Sequence, residues 1–350
     1  MTKAADRKNA HLDLARGEDA QTAHGNGFDR VVLSHNALPE CDLDKIDLTC
    51  RFLGRRLAMP LMIGAMTGGT DRADAINTAL AIAAQKHGVA LAVGSQRASI
   101  ESQRDQHVIR KNAPDVPIIA NLGGVQLARL DGLNMAQDAV DMLGADAIAI
   151  HLNPLQEAAQ PEGDRDWHGV EDAIARLVQT IACPVIIKEV GAGITSDVAM
   201  RLDALGVRYI DVAGLGGTNW TRIETLRHQN GDNPLMTPFL DWGISTCDAL
   251  IDLKNVQNQS GQQSRLNARL IASGGIRHGL DAAKGIWLGA DMIAAAGHFL
   301  RAVENDSGDI TPDAIDQALQ LWREQMQLAL FLTGSRDLQS FKNAKGLIKP

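Results

Sequence analysis

The feature that most constrains this chain is a recurrence. Short apolar, β-like runs return eight times, at 60–65, 89–94, 116–121, 147–151, 184–188, 209–212, 268–272 and 292–296, with helical patterns between most of them. In 71–87, Ile76, Leu80 and Ala83 share one helical face and Gly88 supplies the stop; in 195–205, Val198, Leu202 and Leu205 do the same ahead of Gly206. The runs are apolar throughout rather than alternating, as expected of strands covered on both sides.

Eight such units, mostly about 25 to 37 residues apart, match a parallel (β/α)8 TIM barrel of the α/β class. A doubly wound open sheet is the rival, but no GxGxxG with a downstream acid is present. The spacing breaks once, where roughly fifty residues (214–267) follow the sixth strand; this predicts a long loop with a helix around 245–256. The chain reads as one domain over 1–350, with a polar N-terminal extension or lid at 1–55, the barrel at 56–335 and a tail at 336–350. Five Trp, one Tyr and six Phe among 350 residues leave most packing to Leu, Ile, Val and Ala.

A net charge of −8 gives no global attraction to nucleic acid or anionic membranes, so any anionic ligand must be held locally. Cys41, Cys50, Cys183 and Cys247 are far apart and show neither zinc-ligand nor disulfide spacing. The first thirty residues carry many charges and no apolar core, which argues against a signal peptide, and no run is long enough to span a bilayer. A cytoplasmic protein is expected.

The stretch from Ala147 to Glu157 turns abruptly from apolar to polar. Along the strand, Ala147, Ala149, His151 and Asn153 face one way, and Ile148, Ile150 and Leu152 the other. Its carboxyl end therefore opens into a site for an anion, a metal, or both. The other strand ends carry Met66-Thr67-Gly68-Gly69, Ser95-Gln96-Arg97, Asn121, Lys188-Glu189, Asp211 with Gly216-Gly217-Thr218, Ser273-Gly274-Gly275 and Ala296-Gly297. In a barrel these converge on one rim. The small residues after strands seven and eight suit a phosphate, since backbone N–H groups approach oxygens closely there. Lys188, ending an apolar strand, needs an anionic partner: Glu189, Asp211, or an electron-rich cofactor across the mouth.

Together with Arg7-Lys8, His11 and Asn219-Trp220, these segments resemble type 2 isopentenyl-diphosphate delta-isomerase over nearly the whole chain. The resemblance implies interconversion of isopentenyl and dimethylallyl diphosphate on reduced FMN, with Mg2+, and with NADPH as reductant. It implies FMN contacts at Ala65, Met66, Thr67, Ser95, Asn121, Lys188, Thr218, Gly274, Gly275, Ala296 and Gly297. It implies a substrate set of Arg7, Lys8, His11, Arg97, His151, Asn153 and Gln156, with Glu157 as the Mg2+ ligand and Gln156, Lys188 and His151 as catalytic residues. Gln96 receives no role. A homo-oligomer, tetramer or octamer, is also implied.

The chemistry agrees with these residue types. A tertiary cation developing from an alkene demands a dry site with an electron-rich face, and a diphosphate demands cations. Arg7 and Lys8 would then belong to a lid, and deleting residues 1–10 is expected to raise the substrate KM. Another FMN barrel, such as a 2-hydroxy-acid oxidase or dehydrogenase, is the nearest alternative; it needs a histidine base and a carboxylate-binding arginine late in the barrel, and 211–220 contains neither. An inosine-monophosphate dehydrogenase needs a cysteine after strand six, and Cys247 lies about thirty residues beyond that point.

Overall fold

The computed structural model describes residues 3–227, 233–257 and 266–350. Eight parallel strands close into a barrel: β1 (Leu61–Ile63), β2 (Ala90–Ala92), β3 (Ile118–Gly123), β4 (Ala147–His151), β5 (Val185–Lys188), β6 (Tyr209–Asp211), β7 (Arg269–Ala272) and β8 (Met292–Ala295). Closure is made by β8 on β1, with Ile293 opposite Leu61 and Ala295 opposite Ile63. All eight expected strands are present. Most are a residue or more shorter than their apolar runs, while β3 extends to Gly123 because its last residues pair with Ile150 and His151.

Strand geometry sorts the side chains by face. Ile148, Ile150, Leu91, Val93 and Ile187 pack outward against the helices, whereas Ala147, Ala149, Ala90, Ala92 and Ala294 fill the interior. A hairpin formed by Cys50–Phe52 and Arg55–Leu57 supplies Phe52 and Leu57 to that interior, and the Phe52 ring meets Tyr209 edge-on at 5.2 Å. Beneath, aromatic bulk fills the barrel; above, alanines leave space at the carboxyl ends of the strands.

The helix at Asp71–His87 begins on Thr70, whose hydroxyl accepts from the Ala73 N–H, and ends at Gly88 with φ +63°. Ser196–Ala204 and Thr246–Gln257 occupy the other two expected helical regions. The long connection after β6 also contains a short helix, Trp220–Leu226, that its sequence pattern did not announce. Parts of that connection, 228–232 and 258–265, lie outside the described residues. The segment expected as a C-terminal tail is folded in: Gly346–Ile348 pairs antiparallel with Val31–Leu33, and Phe341 is buried. Among the described residues, no helix is long and apolar enough to cross a membrane.

Candidate active site

The carboxyl ends of the strands open into a cavity of about 830 Å³. Its floor is apolar, built from Met62, Ala92, Ile119, Ala149, Ile186 and Ala294. Its roof is helix α1 (Lys3–Arg16), which buries Leu12 and Ala15 and turns Arg7, Lys8 and His11 into the cavity. Every residue proposed above for cofactor, substrate or metal lines this one space except Gly297, which sits immediately behind Ala296.

Helix α1 is held by a buried carboxylate. Glu304, 1% exposed, accepts from Arg16 at 2.8 Å and from both Nε and Nη2 of Arg72 at 2.8 Å, and Arg72 also reaches Asp13. Hydrogen bonding from Arg72 and then Arg16 outweighs burial and lowers the Glu304 pKa. Glu304→Ala would leave Arg16 and Arg72 facing each other with only their exposed partners Asp306 and Asp13, so a loss of about 3 kcal/mol is expected in urea unfolding. An unchanged midpoint and slope would show that this cluster does not secure α1.

On the floor side, the wall after β1 brings Ala65, Met66 and Thr67 to the cavity, and the Thr67 hydroxyl is buried without a hydrogen-bond partner among the described residues. Ser95 and Arg97 follow β2, where Arg97 pairs with exposed Glu101 at 2.9 Å. Asn121 is fixed from two directions: its amide donates to the Val93 carbonyl at 3.0 Å, and its backbone N–H donates to Gln96 Oε1 at 2.9 Å. Gln96, given no role by the sequence, is fully buried and also donates to Gln106 and the Ala139 carbonyl. It therefore positions Asn121.

Asn121 Oδ1 in turn accepts from His151 Nδ1 at 2.8 Å, because its amide nitrogen is already donating. Burial, followed by the Lys188 and Lys8 charges, pushes the His151 pKa down to about 3. The ring is thus neutral near pH 7, with Nε2 left as an acceptor.

Glu157 and Gln156 lie on the short helix Pro154–Ala159. The amide nitrogen of Asn153 donates to Gln156 Oε1 and Glu157 Oε1, both at 3.1 Å, while Asn153 Oδ1 is buried and unpartnered among the described residues. Gln156 donates to Glu224 Oε1 at 3.1 Å. Glu224, fully buried on the unannounced helix Trp220–Leu226, also meets His11 Nε2 at 3.0 Å and Arg227. Burial favours the neutral Glu224, but hydrogen bonds from His11 and Gln156 and the Arg227 charge prevail and lower its pKa; burial lowers that of His11. Gln160 satisfies both its neighbours only with its nitrogen toward Glu224 (3.3 Å) and its oxygen toward Arg7 (3.0 Å). Glu224, Gln160 and Arg227 were missed because they sit on or just past short loop helices without a recurring pattern; for Glu224 and Arg227 the one signal was the length of the connection after β6, and for Gln160 there was none.

Lys188 ends β5 at the cavity floor. Neither carboxylate considered as its partner lies within 4 Å of its ammonium, which instead donates to the Glu189 backbone carbonyl. The Glu189 side chain is occupied by backbone N–H groups of Val190, Gly191, Ala192 and Gly193, and Asp211 accepts from Ser273 at 2.5 Å. The ammonium is therefore available to an anionic group above it.

Across the mouth, Gly274 (φ +96°) and Gly275 (φ +69°) cross so near the 214–217 segment that a Cβ would fall 2.0 Å from the Gly214 oxygen or 2.3 Å from Gly216. Only glycine lets these backbones meet, and the result is a pocket walled by main chain beside Thr218 and Ala296. The orphaned Thr67 hydroxyl, the Lys188 ammonium and this backbone cradle fit the ring edge, the ring charge and the phosphate of FMN. For a divalent ion, no three His, Cys, Asp or Glu side chains cluster among the described residues. Glu157, which pairs with no cation of the protein within 4 Å among the described residues, would offer one carboxylate ligand to a Mg2+ that takes its other ligands from water and phosphate. Cys247 is fully buried, its thiol pushed up to about 11 by burial, and is no nucleophile for this cavity.

The sequence profile of the FMN-dependent dehydrogenase family matches residues 133–347. Solved structures of mandelate oxidase share the fold. One carrying a monooxide FMN adduct has a TM-score of 0.66 at 18% identity, over 98% of this chain and 100% of that one. Another, with benzoyl-formic acid, gives 0.65 at 17% identity, over 99% and 98%. Much nearer in sequence are isopentenyl-diphosphate delta-isomerases. That of Xanthobacter autotrophicus is 46% identical over 97% of this chain and 96% of its own length, and that of Paracoccus zeaxanthinifaciens 44% over 99% and 97%. Identity of this extent over entire chains, on a barrel with this strand-end chemistry, means that the chain belongs to the type 2, FMN-dependent family of isopentenyl-diphosphate delta-isomerases.

Proposed function

We propose that the protein interconverts isopentenyl diphosphate and dimethylallyl diphosphate, using reduced FMN and Mg2+, with NADPH priming the flavin. The observation that carries this reading is the placing of one cationic roof, Arg7 and Lys8 on α1 with Arg97 opposite, over the same cavity that holds Gln156, Glu157 and Lys188. A 2-hydroxy acid would need one carboxylate-binding arginine and a histidine base. Among the described residues, the only histidines lining this cavity are His11, committed to Glu224, and His151, held neutral against Asn121.

In this reading, Arg7, Lys8 and Arg97 hold the diphosphate, and Glu157 would hold Mg2+ against its oxygens. Anchoring the diphosphate under the roof lays the five-carbon chain on the apolar floor, away from water. Reduced FMN, when bound, supplies an electron-rich face and an exchangeable proton at N5. Lys188 balances the anionic ring. Gln156 is clamped between Asn153 and Glu224; an amide has no useful pKa, so it orients the allylic carbon rather than taking its proton. His151 contributes an acceptor nitrogen to a ligand that carries a proton.

Lys8 gives a pH dependence. Its pKa is pushed down to about 8, by burial first and then by Arg7 and Arg97. In the free enzyme its charge is present below that pH and lost above it. The substrate KM is therefore expected to climb as pH rises through about 8, and Lys8→Met to show a high KM whose pH profile is flat there. A Lys8→Met profile that keeps the climb assigns it to another group.

The test of the function is a count. FMN-loaded protein is incubated anaerobically with Mg2+, isopentenyl diphosphate and sub-stoichiometric NADPH, and dimethylallyl diphosphate formed per NADPH is measured. Many products per reductant are expected of a redox-neutral isomerase; reduced flavin without product overturns the reading. A cytoplasmic homo-oligomer, tetramer or octamer, belongs to the same proposal, and light scattering of the purified protein measures its mass.

A further inference from the structure

We infer that Arg301 closes the FMN phosphate site, reaching back across the first turn of its own helix through the space that Gly297 leaves open. The inference rests on the FMN reading above and adds a residue that neither the strand-end motifs nor the resemblance supplied.

The phosphate cradle at the ends of β7 and β8 is walled by backbone and by the Thr218 hydroxyl, which are neutral donors. A phosphomonoester carries close to two negative charges, and a site of neutral donors alone leaves that charge unbalanced. Arg277, next to the glycine pair, is the nearest cation in sequence; its Nε donates to Asp281 at 2.9 Å, and Asp281 is itself buried and accepts from Asn26 at 3.0 Å, so one edge of that guanidinium is occupied.

Arg301 is different. It lies one turn after Gly297 on the helix Gly297–Val303, and its Nη1 comes within 3.4 Å of where a Cβ on Gly297 would be. The Thr218 hydroxyl stands 3.1 Å from that same point. The guanidinium and the hydroxyl thus flank one small space above Gly297, adjoining Ala296 of the cavity wall. Among the described residues Arg301 makes no ion pair or hydrogen bond, and the charged group felt there is another cation, Arg16. Arg16 is already neutralised by Glu304 and Asp306. A guanidinium with no anion of the protein as partner, placed beside a backbone anion cradle, is open to one that arrives there.

Position separates this anion from the substrate diphosphate. Arg97 and Glu157 follow β2 and β4, whereas Arg301 and Thr218 follow β8 and β6 and flank β7 across the mouth. Gly297 acquires a reason as well: a side chain there would fill the passage that the arginine uses.

The test compares FMN with riboflavin, which has the same ring and no phosphate. Fluorescence titrations of the apoprotein give Kd for both ligands in wild type, Arg301→Ala, Arg301→Lys and Gly297→Val. Arg301→Ala is expected to weaken FMN by about 10- to 100-fold, the worth of one charge-assisted contact, with riboflavin unchanged. The unchanged riboflavin affinity also shows that the variant is folded. Arg301→Lys should recover part of the loss, and Gly297→Val should reproduce it. Equal FMN affinity in wild type and Arg301→Ala overturns the inference, as does a rise in substrate KM with FMN affinity intact. If the wild type binds FMN no better than riboflavin, there is no phosphate site, and the cofactor reading falls together with it.

Discussion

Replacing Lys188 with alanine is expected to lower kcat by about 10² to 10³ while leaving the substrate KM within a few-fold of wild type, the pattern of a group that acts on charge present during chemistry. The ammonium ends β5 on the cavity floor, and the two carboxylates beside it in sequence and space are both engaged elsewhere, Glu189 by four backbone N–H groups and Asp211 by Ser273. Its positive charge opposes the burial that raises the pKa of both carboxylates, but it lies within 4 Å of neither, so the ammonium stays open to an anion above it. If that is an anionic reduced flavin, removing the charge destabilises the reduced form, and the two-electron potential of the bound FMN should fall by about 30 to 60 mV. A guanidinium in place of the ammonium restores charge but not shape, so Lys188→Arg should recover the potential more fully than the rate. An unaltered potential in Lys188→Ala would mean that the residue serves the backbone of Glu189 alone.

How much of this could be read from the chain follows from where periodicity exists. A parallel barrel strand is buried on both faces, so it appears as an uninterrupted apolar run, and eight of these were visible because each is separated by a helix of ordinary pattern. Strand ends were legible for the same reason: Lys188 and His151 interrupt an apolar run at the point where the strand leaves the core. What was not legible is pairing between distant segments. Nothing near Glu304 announces Arg16 and Arg72, and three-residue strands such as Val31–Leu33 and Gly346–Ile348 are too short to show an alternation. Glu224 is the clearest case. It is a buried carboxylate whose partners His11, Gln156 and Arg227 come from the N-terminal helix, the β4 loop and the end of its own helix, so only the folded chain defines its role. Gln96 likewise looks like an arbitrary polar residue until its side chain is seen capping the Asn121 backbone.

Glu157→Gln should have the largest effect of all, a loss of about 10³ to 10⁴ in kcat/KM for isopentenyl diphosphate at millimolar Mg2+, with FMN still bound. Glutamine keeps the volume and one carbonyl oxygen, so the 2.8 Å bond from the Asp164 N–H and the helix around it can persist, and the change isolates the charge. That charge has no cation of the protein within 4 Å among the described residues, although Arg7, Lys8 and Arg97 share the cavity. Those three cations alone could attract a diphosphate, which raises the alternative that Glu157 merely repels misplaced anions. The two roles have opposite signatures. A Mg2+ ligand that is lost should raise the Mg2+ concentration needed for half-maximal activity, so part of the deficit is recovered as Mg2+ increases. A repelling carboxylate that is lost should instead tighten diphosphate binding and leave the Mg2+ dependence in place. Glu157 shares the cavity with those three cations yet pairs with none of them, which leaves its charge open to a hydrated divalent ion and argues for the first outcome.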